Sequence, residues 1–201
     1  MSVRIETLSG PGLEQGIDAV ARLRMSVFRE WPYLYDGDLD YEADYLATFS
    51  KGAGSIIVAA IDGDEIIGAA TGSPLAEHTE EFGPLFLEHG LVPETIFYCG
   101  ESVLLGGYRG QGIGHAFFDH REAHARSLRD NGAHPFARST FCGVVRSEND
   151  PRCPSDYRSL DAFWVKRGYH KVPGLVGHYD WREIGDAEET RKDMQFWMRD
   201  L

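Results

Sequence analysis

Ser102-Val103-Leu104-Leu105-Gly106-Gly107-Tyr108-Arg109-Gly110-Gln111-Gly112-Ile113-Gly114-His115 is the stretch from which the rest of the chain can be read. An apolar run ends at paired glycines. A basic residue follows, then glycines alternate at 110, 112 and 114, and a long segment of helical periodicity begins. Strand, glycine-rich turn and helix together make an anion site. The first amides of a helix have no partner within it, and its dipole places partial positive charge there. Glycines let the backbone approach a ligand because no Cβ intervenes. The stretch therefore reads as a cradle for a diphosphate. The Walker pattern requires Gly-Lys-Ser/Thr, which is missing. The dinucleotide fingerprint requires a third glycine where His115 stands, and an acidic residue after the next strand, where Val144-Val145-Arg146 stands.

Working outward, residues 3–8 alternate as a strand, and 13–30 carry a helical stripe of Ile17, Val20, Ala21, Met25 and Phe28. Two β-branched runs, 55–61 and 65–70, flank Asp62-Gly63-Asp64 and predict a hairpin. A short helix is expected near Phe86, and a strand over 95–105 leads into the glycine loop. After the loop come a helix over 113–131 closed by Gly132, a strand over 136–145 and a helix over 157–167 ended by Gly168. Strands are expected at 169–172 and 178–183 around Pro173-Gly174. The charged segment 188–201 reads as helical. The domain accordingly spans 1–185, and 186–201 forms a tail packed on it or on a partner subunit, which leaves a homodimer open. The pattern predicts an α/β chain with a mixed sheet and helices on both faces.

Composition narrows the function. The formal net charge is −12, from 32 acids against 20 bases, which argues against a nucleic-acid backbone as partner. The start of the chain lacks a cleavable-signal pattern, and no apolar run is long enough to span a membrane. Cys99, Cys142 and Cys153 form no paired spacing and suit a reducing compartment, so a cytoplasmic protein is expected. His120 and His124 share a helix face, but no third ligand accompanies them, and no metal is expected.

The spacing Arg109-x-x-Gly112-x-Gly114 resembles the coenzyme A pyrophosphate loop of the GCN5-related N-acetyltransferases. A second stretch, Ala162-Phe163-Trp164-Val165-Lys166-Arg167-Gly168-Tyr169, is similar to that family's late helix-to-strand motif. The two occur in the family's order, and the resemblance covers about residues 3–181. It implies that fold, acetyl-CoA as co-substrate, and direct acetyl transfer to a small amine. The amides of Gly110, Gln111, Gly112, Ile113, Gly114 and His115 would take the pyrophosphate, with Arg109 adding charge. The backbone of Val103, Leu104 and Leu105 would pair with the pantetheine arm.

Glu101, eight residues before Arg109 and near the splay point of the cofactor strand, is the candidate general base. The family's usual acid, a tyrosine in the late helix, aligns with Trp164, whose indole cannot serve. Tyr157, two turns earlier on nearly the same face of the expected helix, is the candidate substitute. The segment 31–45 interleaves aromatics with acids that lack neighbouring bases. It reads either as an acceptor wall, with Tyr33, Tyr35 and Asp36 drawing a cationic amine, or as a solvated acidic turn. The alternative to an enzyme is a catalytically weak acyl-CoA-binding sensor of the same fold.

Overall fold

The turn at Gly63 organises the first half of the sheet. The computed structural model describes residues 3–8, 11–38, 42, 46, 52 and 54–201, the side chains of 11–15 excepted. In it, β2 (Ile56–Asp62) and β3 (Glu65–Pro74) pair antiparallel around Gly63, whose φ of +61° a side chain would strain. Strand β1 (Arg4–Leu8) adds to the other edge of β2. The remaining strands are β4 (Ile96–Tyr98), β5 (Ser102–Leu104), β6 (Arg138–Val144), β7 (His170–Trp181) and β8 (Thr190–Asp200). The eight-stranded sheet runs β1-β2-β3-β4-β6-β8-β7, with β5 beside β3. Strands β4 and β6 pair parallel, and the other pairings are antiparallel.

The helices are α1 (Pro11–Phe28), α2 (Thr79–Glu88), α3 (Ile113–Asp130) and α4 (Asp161–Lys166). The two-residue period of the strands sends alternate side chains to opposite faces. Phe97, Cys99, Phe141 and Trp197 meet Phe117 and Phe118 of α3 on one face. Ile96, Tyr98, Cys142 and Phe196 meet Phe82 and Phe86 of α2 on the other. On the first half of the sheet, Ala69 and Val103 receive Val20, Ala21 and Leu23 of α1. Burying each large apolar side chain contributes about 1.5–3 kcal/mol, so these layers hold the sheet between the helices. The seam between α1 and α2 lies over the middle of the sheet.

Four expectations are corrected. The segment expected to be a helical tail is β8, which lies between β6 and β7. Lys192, Met194 and Phe196 are buried at every second position, a strand period that the charged residues between them obscure. Thr190–Asp200 therefore belong to the sheet. The strand expected over 95–105 is broken after Tyr98 and resumes at Ser102. The two strands expected around Pro173-Gly174 are one strand, β7, with an irregularity between Lys171 and Val176. The late helix starts at Asp161, so Tyr157 lies in the loop before it. Between Asp38 and Gly52 only Glu42 and Leu46 are described, and both are helical and buried. Among the described residues no helix is long and apolar enough to cross a membrane.

Candidate functional site

The break between β4 and β5 creates the site. Strand β4 runs parallel to β6 in the register Ile96↔Arg138 to Tyr98↔Thr140, and the Cys99 amide still bonds the Thr140 carbonyl at 2.8 Å. Beyond that point β5 pairs, among the described residues, only with β3, and β6 continues beside β8. The facing edges of β5 and β6 part and leave a slot. Along β5 the Glu101 carbonyl and the Leu105 amide bond β3. By strand alternation, the backbone groups of Ser102 and Leu104 face the slot. Of the residues expected to pair with an extended ligand, Leu104 therefore turns its amide to the slot, while its carbonyl accepts from Arg109. Val103 is in register with Ala69 and is fully buried, and Leu105 donates to Ile67.

The slot leads to the glycine loop. Residues Gly106–Tyr108 form a short 3-10 turn, and Gly110 and Gly112 take φ values of +78° and +85°. Gly112 is the N-cap of α3 and supplies no side-chain cap, so the amides of Ile113, Gly114 and His115 have no intrahelical acceptor. A Cβ on Gly110 or Gly112 would meet nothing within 4 Å, so the space beside them is open. Gly114 has no such φ requirement, and a Cβ there would make only an ordinary 3.5 Å contact with Phe163. Packing alone therefore does not demand glycine at 114, whereas a closely approaching anion does. Gln111 donates to the Gly107 carbonyl at 3.2 Å and ties the loop to itself. Arg109 turns away from the cradle, with Nη2 2.7 Å from Glu30 Oε2 across the slot and 3.4 Å from the Leu104 carbonyl. These features fit a phosphate-bearing ligand with an extended arm.

Glu101 sits at the bottom of the slot, with its side chain toward the seam between α1 and α2. Arg24 Nη1 of α1 lies 2.5 Å from Glu101 Oε1, and Arg24 Nε bonds Glu42. The side chains of Glu101 and Glu42 are 8% and 1% exposed, so the triad is largely shielded from water. Among the described residues Glu101 Oε1 has no aligned hydrogen-bond donor. Nearby on the same face, the Tyr98 hydroxyl lies 3.5 Å from Cys142 Sγ and 3.4 Å from the Tyr179 hydroxyl. His78 Nε2 lies 2.9 Å from Ser73 Oγ, and its ring meets Tyr98 edge-on at 5.0 Å. Burial lowers the pKa of His78, against an opposing pull from Glu101. Burial pushes the Cys142 thiol up to about 12, so it is protonated at neutral pH and no nucleophile.

A model of the acetyltransferase (GNAT) family matches residues 18–137. The chain belongs to that family. Solved acetyltransferases share the fold across nearly the whole chain. An N-acetyltransferase from Staphylococcus aureus Mu50 is 11% identical, with a TM-score of 0.61 over 100% of this chain and 99% of that one. A ribosomal-protein-alanine N-acetyltransferase from Brucella melitensis is 13% identical, with a TM-score of 0.60 and full coverage of both chains. An aminoglycoside 6'-N-acetyltransferase complexed with coenzyme A is 16% identical, with a TM-score of 0.58 over 100% of this chain and 97% of that one. No curated protein matches the sequence.

Within this acetyltransferase fold the acceptor-side expectations change. Tyr33 packs between Phe28, at 4.8 Å, and Trp181, at 6.0 Å, and borders the same seam. Tyr35 bridges to Glu183 at the rim. Asp36 is already paired with Arg29 and Arg182, each at 3.1 Å, and Glu42 with Arg24. Asp36 and Glu42 thus have basic partners from elsewhere in the chain; Asp40 and Asp44 lie outside the described residues. Sequence reading missed the clamp that holds this segment. Arg146 donates to the carbonyls of Pro32 and Tyr33 and to Glu183, which also takes Arg152. No local pattern announces it, because its partners lie far apart in sequence.

The helical argument for Tyr157 fails with the late start of α4. Its ring meets Trp31 edge-on at 6.1 Å, and partial burial raises its pKa and makes it a poorer proton donor. Trp164 is a packing residue, 4.9 Å from the Phe141 ring and 5.1 Å from Trp197. His124 spends Nε2 on the Gly54 carbonyl at 2.9 Å.

Proposed function

We propose that this protein transfers an acetyl group from acetyl-CoA to the nitrogen of a small amine. One observation carries the reading: β5 parts from β6 just before a helix whose first amides are uncapped, so free strand edges lead from an anion site to Glu101. Bound acetyl-CoA would supply the thioester from which the acetyl group is taken. The amides of Ile113, Gly114 and His115 hold the pyrophosphate, and the backbone of Ser102 and Leu104 holds the pantetheine arm.

Glu101 receives the proton of the acceptor nitrogen on its carboxylate, directly or through water. Arg24 fixes the direction of that carboxylate and offsets its charge. Tyr33 and Trp181 pack the body of the acceptor, and the hydroxyls of Tyr98 and Tyr179 offer it hydrogen bonds. Because Asp36 and Glu42 are already ion-paired, a permanently cationic body is not required. The leaving thiolate has no tyrosine acid in α4 and takes its proton from solvent. That same absence supports a second reading, a slow enzyme that serves as an acyl-CoA-binding module.

Incubation with acetyl-CoA and a panel of amines, with free CoA and acetylated product both measured, separates the readings. The proposal expects turnover on at least one small amine. Tight CoA binding by calorimetry with no turnover on any amine would favour the binding module. Failure to bind CoA would overturn both.

A further inference from the structure

Arg121 of α3 is a buried guanidinium, 1% exposed, and it grips the strand break from the face opposite Arg24. Its Nη1 donates to the carbonyls of Thr71 and Glu101, both at 3.0 Å. Its Nη2 donates to Ser102 Oγ at 2.9 Å, and Nε donates to the Phe117 carbonyl at 3.3 Å. The guanidinium carbon lies 4.6 Å over the Phe118 ring. Among the described residues no carboxylate pairs with it. Its sequence neighbour Glu122 is quite different, drawing Arg167 at 3.0 Å and Arg126 and Arg199 at 3.5 Å. The sheet also makes room for Arg121. A Cβ on Gly72 would come within 2.6 Å of Phe97 and 3.4 Å of Arg121 Cδ.

A buried cation without a counter-ion is costly, and ordinary packing does not call for one. A planar fork that reaches two strands and a turn at once suits Arg alone. The acceptors are telling: one lies on β3, one in the break and one at the first residue of β5. The same helix carries the uncapped amides of 113–115, roughly 9–12 Å away at 1.5 Å per residue.

We propose that Arg121 is a positioning residue that keeps β5 parted from β6 and ties that parting to the anion-binding end of α3. By holding the Glu101 carbonyl and Ser102 Oγ, it sets which way the Glu101 side chain points and keeps the Leu104 backbone turned to the slot. The inference rests on the CoA-binding reading for its ligand arm, but its structural arm does not.

The test compares Arg121→Met, Arg121→Lys and Ser102→Ala with the wild type. Hydrogen exchange in the ligand-free protein reads the break directly. The amides of Gly100 and Leu105, which bond β3, should exchange tenfold faster or more in Arg121→Met, with those of β7 and β8 unchanged. Calorimetry with coenzyme A and with 3′-phospho-ADP, its nucleotide part, reads the coupling. CoA should bind at least tenfold more weakly in Arg121→Met, and the nucleotide within about twofold of wild type, because the helix end is intact. Arg121→Lys keeps the charge without the fork and should fall between. If Arg121→Met does not fold, Arg121→Lys and Ser102→Ala carry the test, with smaller changes in the same direction. Unchanged exchange at Gly100 and Leu105, or equal weakening of both ligands, would overturn the proposal. If the wild type binds neither ligand while the exchange difference holds, the cofactor reading fails and the positioning role stands.

Discussion

Arg24 reaches Glu101 across the seam, with Nη1 2.5 Å from the carboxylate, and holds Glu42 with its Nε. One guanidinium thus serves two largely buried carboxylates from separate parts of the chain. The expected base is neither isolated nor solvated; its direction is set by α1, which packs on Ala69 and Val103.

Removing that guanidinium should strand two acids. Breaking a buried ion pair from one side costs roughly 3–5 kcal/mol, because the remaining charge loses its partner. Arg24→Met should lose about that much in urea unfolding. Adding Glu42→Gln should recover part of the loss, since one of the two stranded acids is gone. A loss under about 1 kcal/mol would mean that water reaches the triad freely.

Glu101→Gln keeps the shape of the side chain and removes its capacity to take a proton. Turnover should fall by roughly 100-fold or more, the range of a general base, with CoA affinity nearly unchanged. Tyr157→Phe should change turnover by less than about threefold, because Tyr157 lies outside α4 against Trp31. Steady-state kinetics alongside calorimetry checks both, and a large effect in Tyr157→Phe would restore it as the acid.

The glycines of the loop should separate backbone need from ligand need. Gly112 has φ +85°, so Gly112→Ala should destabilise the fold by about 1 kcal/mol. Gly114 has neither a positive φ nor a tight neighbour, so Gly114→Ala should leave thermal stability unchanged. If an anion approaches the amides of 113–115, the added methyl should still weaken CoA binding by about tenfold, or 1.4 kcal/mol. Undiminished affinity in Gly114→Ala would mean that the ligand does not approach this backbone closely.

The clamp at Glu183 predicts acid sensitivity. Burial alone would raise its pKa, but hydrogen bonds from Arg146 and Arg152 outweigh that and leave it below the ordinary value of 4.5. The unfolded chain therefore takes up this proton first. The stabilisation is present above the unfolded pKa and is lost as pH falls through the lower folded value. Unfolding measured from pH 7 down to pH 3 should show a shallower decline in Glu183→Gln than in wild type. Parallel curves would show that the clamp does not govern acid stability.

The amino-acid sequence by itself determined the parts of this protein that are local. A hairpin around Gly63 follows from turn chemistry within a few residues. The uncapped start of α3 follows from glycines at 110, 112 and 114, whose effect needs no distant partner. The order of strands and helices follows from periodicity, and that order with two motifs was enough to suggest the family. Tertiary structure decided everything that joins distant segments. It turned residues 190–200 into an inner strand, because pairing with β6 and β7 outweighs the helical leaning of a charged stretch. It cut one expected strand at Cys99–Glu101, where β4 keeps to β6 and β5 can reach only β3. It also gave Asp36 and Glu42 their partners, since Arg29, Arg182 and Arg24 come near them only once the chain is packed. A side chain's charge can be read from its letter, but the groups it faces exist only after the sheet has closed.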